Sequence, residues 1–263
     1  MDFQLKNQHA VIVGGARGLG LAIGQAFVAE GAKVSLIDLL PEVADVAKPL
    51  GGTGCAADVA NEQAMMQAAD KIIASSGPVE HVVFAAAIGS GHFGFPFWNV
   101  PPGVWAKVLA INLIGAVHTA HAFGQRMAEA KRGTLLFISS VAGQIGSQTD
   151  PPYSASKAGV INFAQCVAKD LAPYGVRANT LCPGMIQTTL NKGVWQSWAD
   201  RQPPETWLSY EDWTASKIKQ VVPLNRWQTP EDMAAMAVFL ASERGRNITG
   251  QTVNVDGGFV MHW

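Results

Sequence analysis

The stretch Ala10-Val11-Ile12-Val13-Gly14-Gly15-Ala16-Arg17-Gly18-Leu19-Gly20 sets a short apolar run directly before a cluster of glycines. Four apolar residues bounded by turn formers predict a buried strand, and the apolar periodicity of residues 19–30 predicts a helix. Gly31 follows at the position where a helix ends most easily in left-handed backbone. Strand, glycine turn and helix form an anion cradle: glycines let a pyrophosphate approach the main chain, and the helix N-terminus offers free N–H groups. The next apolar run, residues 33–38, ends on Asp38. An acid about twenty residues beyond such a turn can accept hydrogen bonds from an adenosine ribose diol.

Working outward, the alternation continues. Residues 54–58, 81–86, 133–139, 176–182 and 251–255 read as strands, and 61–76, 103–130, 152–172 and 230–241 as helices. Apolar strands alternating with helices predict an α/β fold with a parallel sheet covered on both faces. Such sheets bind ligands beyond the C-terminal ends of their strands. Gly14–Gly20, Asp38, Asp58, Ala86, Ser140 and Pro183 all follow strands, so one rim collects them. In the 152–172 helix, Tyr153 and Lys157 stand one turn apart on a common face. A phenol ionises near pH ~10 in water, and an ammonium one turn away is expected to lower that value. Ser140, from a neighbouring strand end, would hold a carbonyl or alcohol oxygen beside the phenol. Together the three make a proton-transfer site.

The 263 residues are 48% hydrophobic and 15% charged, with a formal net charge of −1. That composition suits a buried globular core and argues against nucleic acid as a partner. No uninterrupted apolar segment reaches the ~18–20 residues of a membrane span. The N-terminus lacks the pattern of a secretory leader. Cys55, Cys166 and Cys182 show no paired spacing, so neither a metal site nor a disulfide is expected, and the protein is expected to be cytoplasmic. Two aromatic stretches stand apart. Residues 89–102 carry Phe93, Phe95, Phe97 and Trp98; residues 189–222 carry Trp195, Trp198, Trp207, Tyr210 and Trp213. Both follow strands and are expected to overhang the rim, the second as a substrate lid, although packing on the body or on a neighbouring subunit would use the same residues.

The ordered motifs resemble the short-chain dehydrogenase/reductase family over essentially the whole chain. They are the glycine turn, Asp58-Val59, Asn112, Ser140, Tyr153 with Lys157, Pro183-Gly184 and the terminal Val255-Asp256-Gly257-Gly258. The resemblance implies a single-domain, Rossmann-type, doubly wound parallel sheet of seven strands. It also implies hydride transfer between a nicotinamide dinucleotide and an alcohol or carbonyl. By the same resemblance Tyr153 is the general base or acid, Lys157 lowers its pKa and binds the nicotinamide ribose, and Ser140 aligns the substrate oxygen. Asn112 would hold a water that links Lys157 to solvent. Gly14, Arg17, Gly18, Leu19, Gly20, Asp38 and Ala86 would line the dinucleotide, with Asp58 and Val59 at the adenine. Pro183, Gly184, Ile186 and Thr188 would meet the nicotinamide carboxamide and the pyrophosphate side.

Two departures stand out: Val13 where the family usually has Thr, and Ala85-Ala86-Ala87-Ile88 where it usually has Asn-Asn-Ala-Gly. Losing both polar partners together can be nearly neutral, so a rewired cofactor floor is expected. Asp38 would repel a 2′-phosphate, and Leu39 and Leu40 follow it, which favours NAD; Arg17 pulls toward NADP. A sugar, polyol or cyclic alcohol is the expected substrate. A 3-oxoacyl-type, NADPH-dependent carbonyl reductase and a non-catalytic dinucleotide sensor are the alternatives. The apolar tail, residues 258–263, and the habit of relatives predict a homotetramer.

Overall fold

In the computed structural model, β1 (His9–Val13) is buried along its whole length, as expected of a strand covered on both faces. The structure describes residues 2–261 apart from Phe93 and Thr188. β2 (Lys33–Asp38), β3 (Thr53–Ala56), β4 (His81–Phe84), β5 (Gly133–Ile138), β6 (Val176–Pro183) and β7 (Thr252–Val255) complete one sheet of order 3-2-1-4-5-6-7. Every described pairing is parallel. The order reverses between β1 and β4, and there the crossovers leave to opposite faces and open a crevice at the strand ends.

Alternate side chains of each strand supply two cores. Val11, Val13 and Phe84 face α3 (Glu62–Ser76), α5 (Gly115–Ala130) and α6 (Pro151–Leu171). Ala10, Ile12 and Val83 face α1 (Gly18–Ala29), α2 (Val43–Ala47) and α9 (Pro230–Ala241). The pattern reading missed α2, a five-residue helix too short to carry a readable period. It ran β3 and β4 two residues too far, because Asp58 and Ala86 lie in the loops beyond.

The expected 103–130 helix is continuous in path but not in winding. α4 (Trp105–Leu109) runs into one π turn, Ala110–Ile114, before α5, and Gly115 N–H donates to Ala110 O five residues back. Pro102–Ala130 is long and apolar enough to cross a bilayer by length and composition. Here one face of it packs on the sheet through Ala116, Phe123 and Met127. The 189–222 segment holds two helices, α7 (Thr189–Ala199) and α8 (Tyr210–Val221), which pattern reading had left undivided.

Candidate active site

The cofactor-side residues converge as expected. Gly14, Arg17, Leu19, Gly20, Asp38, Asp58, Val59 and Ala86 line one cleft of about 250 Å³ at the β1–β4 reversal. Gly18 adjoins it at φ +55, a conformation that favours glycine, and a Cβ there would meet nothing within 4 Å. The turn is held from below: Asp38 accepts from Ala16 N at 2.9 Å and Leu40 N at 3.1 Å. Asp38 therefore organises the loop as well as facing the cleft. Asp58 accepts from Ala60 N. Val59 is buried, and its carbonyl accepts from the His118 ring.

The departures at Val13 and Ala85–Ile88 are met by close backbone packing. A Cβ on Gly14 would fall 2.5 Å from Ala86 N, and Ala85 N donates to Val13 O at 2.8 Å. The side chains of this floor are apolar, and among the described residues only Gln228 Oε1 is a buried side-chain polar atom without a partner.

The catalytic-side residues meet at the ends of β5 and β6. The Ser140 hydroxyl stands beside the Tyr153 phenol, where it favours the phenolate, and accepts from Ala142 N. Lys157 is fully buried, donates to Ile138 O at 2.7 Å, and stands 5.6 Å from the centre of the Tyr153 ring. One expectation is overturned. Burial pushes the phenol up to about 12, helped by Asp150 and Cys182, with only the Ser140 bond opposing. Burial also brings Lys157 down to about 8. The lysine charge does not offset the phenol's desolvation, because the ammonium is turned to the Ile138 carbonyl.

Asn112 lies in the π turn, as such turns often do at functional sites. Its side chain bonds to Ile88 and Ser156. Oδ1 accepts from Ile88 N at 2.8 Å, and Nδ2 donates to Ile88 O at 2.9 Å and Ser156 Oγ at 3.0 Å. Both amide protons are thus committed, and the side chain ties the loop after β4 to the catalytic helix. Pro183 ends β6 with Gly184 directly after it, and the Ile186 side chain is buried in the α9-side core while its main chain bridges to Gln228. Thr188 and Phe93 lie outside the described residues.

The tryptophans of residues 189–222 pack on their own segment. Trp198 lies 6.0 Å from Trp213, Trp195 stands edge-on to Tyr210, and Lys217 covers Trp213 at 4.0 Å. Trp207 is exposed.

Three residues near the site escaped sequence reasoning. Asp150 caps α6 and grips Ser90 N; an acid before Pro-Pro is a helix-start signal that was there to be read. Gln144 and Asn254 exchange amide hydrogen bonds across 110 residues of sequence, which no local pattern announces.

The comparisons with known proteins agree with this geometry. Residues 14–260 match the family model described as enoyl-(acyl carrier protein) reductase. The chain is 32% identical to D-threitol dehydrogenase of Mycolicibacterium smegmatis, over 99% of this chain and 95% of that one. It is 34% identical to acetoacetyl-CoA reductase of a Synechocystis species, over 98% of each. The crystal structure of gox2181 superposes with a TM-score of 0.82 at 30% identity, covering 98% of this chain and 97% of that one.

Proposed function

Because the chain belongs to the short-chain dehydrogenase/reductase family and is an oxidoreductase of that class, we propose that it is an NAD-dependent dehydrogenase of a secondary alcohol, with a sugar, polyol or cyclic alcohol as substrate. The observation that carries the cofactor choice is Asp38. Asp38 lines the cleft, Leu39 and Leu40 follow it, and among the described residues no second cation joins Arg17 in the lining. A negative charge at that point accepts a ribose diol and repels a 2′-phosphate.

The residues present fit a dinucleotide. Gly18 leaves open space where a side chain would project, and the α1 N-terminus supplies N–H groups to a pyrophosphate. Asp58 and Val59 would bound the adenine, Lys157 the nicotinamide ribose, and Pro183, Gly184 and the Ile186 main chain the carboxamide. When bound, the dinucleotide supplies the hydride acceptor, or the donor in the reverse direction. The rest belongs to the chain's own residues. Ser140 hydrogen-bonds the substrate oxygen, and the Tyr153 phenolate takes the hydroxyl proton. Since burial holds that phenol high, alcohol oxidation gains rate as pH rises, whereas carbonyl reduction uses the protonated phenol. The α7–α8 pair covers the substrate as a lid. The three free cysteines agree with a reducing, cytoplasmic setting.

The D-threitol dehydrogenase relative supports a polyol. The acetoacetyl-CoA reductase relative, with exposed Arg17 at the cleft, supports the second reading, an NADPH-dependent reductase of 3-oxoacyl thioesters. A non-catalytic sensor is the remote third. NADH and NADPH formation across sugars, polyols, cyclic alcohols and hydroxyacyl thioesters separates them. Turnover with NAD and one alcohol class is expected, and Tyr153→Phe is expected to lose it by about 10²-fold or more while NAD still binds. Turnover confined to NADPH and acyl thioesters would establish the second reading; NAD binding with no turnover would establish the third.

A further inference from the structure

Two prolines open α6, so its first backbone donors are Tyr153 N and Ser154 N. Asp150 satisfies both: Oδ1 accepts from Tyr153 N at 3.3 Å and its carbonyl from Ser154 N at 2.9 Å. The other carboxylate oxygen, Oδ2, accepts from Ser90 N at 2.8 Å in the loop after β4. That loop is pressed on the same segment, since Gly94 N donates to Thr149 O at 2.8 Å and a Cβ on Gly94 would lie 2.3 Å from Pro151 Cδ. One carboxylate thus seats the helix carrying Tyr153 and Lys157 and fixes the loop that borders it.

The same carboxylate, like the Cys182 sulfur when ionised, places negative charge where it opposes ionisation of the phenol. The groups facing Tyr153 are Ser140 from the loop after β5, Cys182 from β6, Lys157 one turn on and Asp150 at the helix start. We propose that Asp150 is a positioning residue for the proton transfer, one carboxylate that sets both the seat of the catalytic helix and the charge around the Tyr153 phenol. This rests on the dehydrogenase reading above. Its consequence is a bias: the negative charge opposes the phenolate and keeps Tyr153 in the form that donates a proton to a carbonyl oxygen. Asp150 would hold alcohol oxidation to more alkaline pH than the site would otherwise require.

The chain has three tyrosines, Tyr153, Tyr174 and Tyr210. In a Tyr174→Phe/Tyr210→Phe background, biosynthetic incorporation of 3,5-difluorotyrosine leaves one reporter, and its more acidic phenol titrates where the protein stays folded. Its ionisation is followed by ¹⁹F NMR with no turnover involved, so the result is independent of whether the NADH panel succeeds. Asp150→Asn is expected to lower the midpoint by about half a pH unit or more, as removal of a nearby like charge does. Ser90→Pro deletes the N–H donor but keeps the carboxylate, and is expected to leave the midpoint where it was or raise it. Equal downward shifts in both variants would mean that loop release and hydration act in place of charge, and would overturn the electrostatic role, as would an unmoved midpoint in Asp150→Asn. Asp150→Ala is expected to melt about 2–4 °C lower or more, having lost cap and grip together; an unchanged melt would overturn the seating role.

Discussion

Asn112 shows how one side chain can serve a site it does not touch. With no exposed surface, it holds both main-chain polar groups of Ile88 and the Ser156 hydroxyl, and Ser156 donates onward to the Tyr153 carbonyl. Asn112→Ala leaves a half-buried N–H and carbonyl on Ile88 and the buried Ser156 hydroxyl short of partners. At the usual cost of unmade buried hydrogen bonds, stability should fall by about 2–4 kcal/mol. Urea midpoints measure this, and a loss under ~0.5 kcal/mol would mean that water takes over the Ile88 groups. The position of this residue was legible from its motif. Its partner was not, because Ile88 is brought beside it only by the crossover between β4 and α4.

The elements differ in how firmly they are held. α1 and α9 pack on each other and on the sheet, whereas α7 and α8 are joined through their own aromatic contacts, with Trp213 buried between Trp198 and Lys217. Trp213→Ala should therefore open the pair without unfolding the sheet. Trypsin is expected to cut at Lys192, Arg201 or Lys217 several-fold faster, with the main melting transition nearly unmoved, as for a locally unfolding unit. A large drop in the global melt with no new cleavage would show that the pair is part of the main cooperative core. Pattern reading placed aromatics in this segment but not its two helices, because Pro203, Pro204 and interleaved charges obscure the period.

At the scale of the whole molecule, the sheet has a chemical rim at one end and a polar base at the other. At the base His81 bonds Gln8 and Thr134, and His9 bonds Ser35 across β1 and β2. Burial lowers both imidazoles, His81 to about 3. A depressed folded-state pKa means that the unfolded chain takes up protons the fold refuses. The stabilisation is therefore complete above pH ~6.5 and is lost as pH falls toward about 3, at roughly 1.4 kcal/mol per pH unit for one such group. Urea midpoints from pH 7 to 4 should fall steeply in the wild type and less steeply in His81→Gln. Parallel slopes would assign acid sensitivity to the carboxylates instead. Assembly is the other property of this scale. Light scattering at micromolar concentration is expected to give about four times 27.9 kDa, since homotetramers bury apolar surface of the kind exposed at Ile114 and Met261; a monomeric mass would exclude it.

By itself the sequence determined the alternation of strands and helices, the glycine turn with Asp38, and the Ser140, Tyr153 and Lys157 set. Each is written in local periodicity or fixed spacing, which backbone geometry converts directly into a face or a turn. Only the tertiary structure decided the protonation balance of Tyr153 and Lys157, the anchoring of Asn112 to Ile88, and the double grip of Asp150. Those depend on desolvation and on partners brought from distant parts of the chain. Burial is a property of the packed molecule, and it reversed the shift that a lysine one helical turn away had led one to expect.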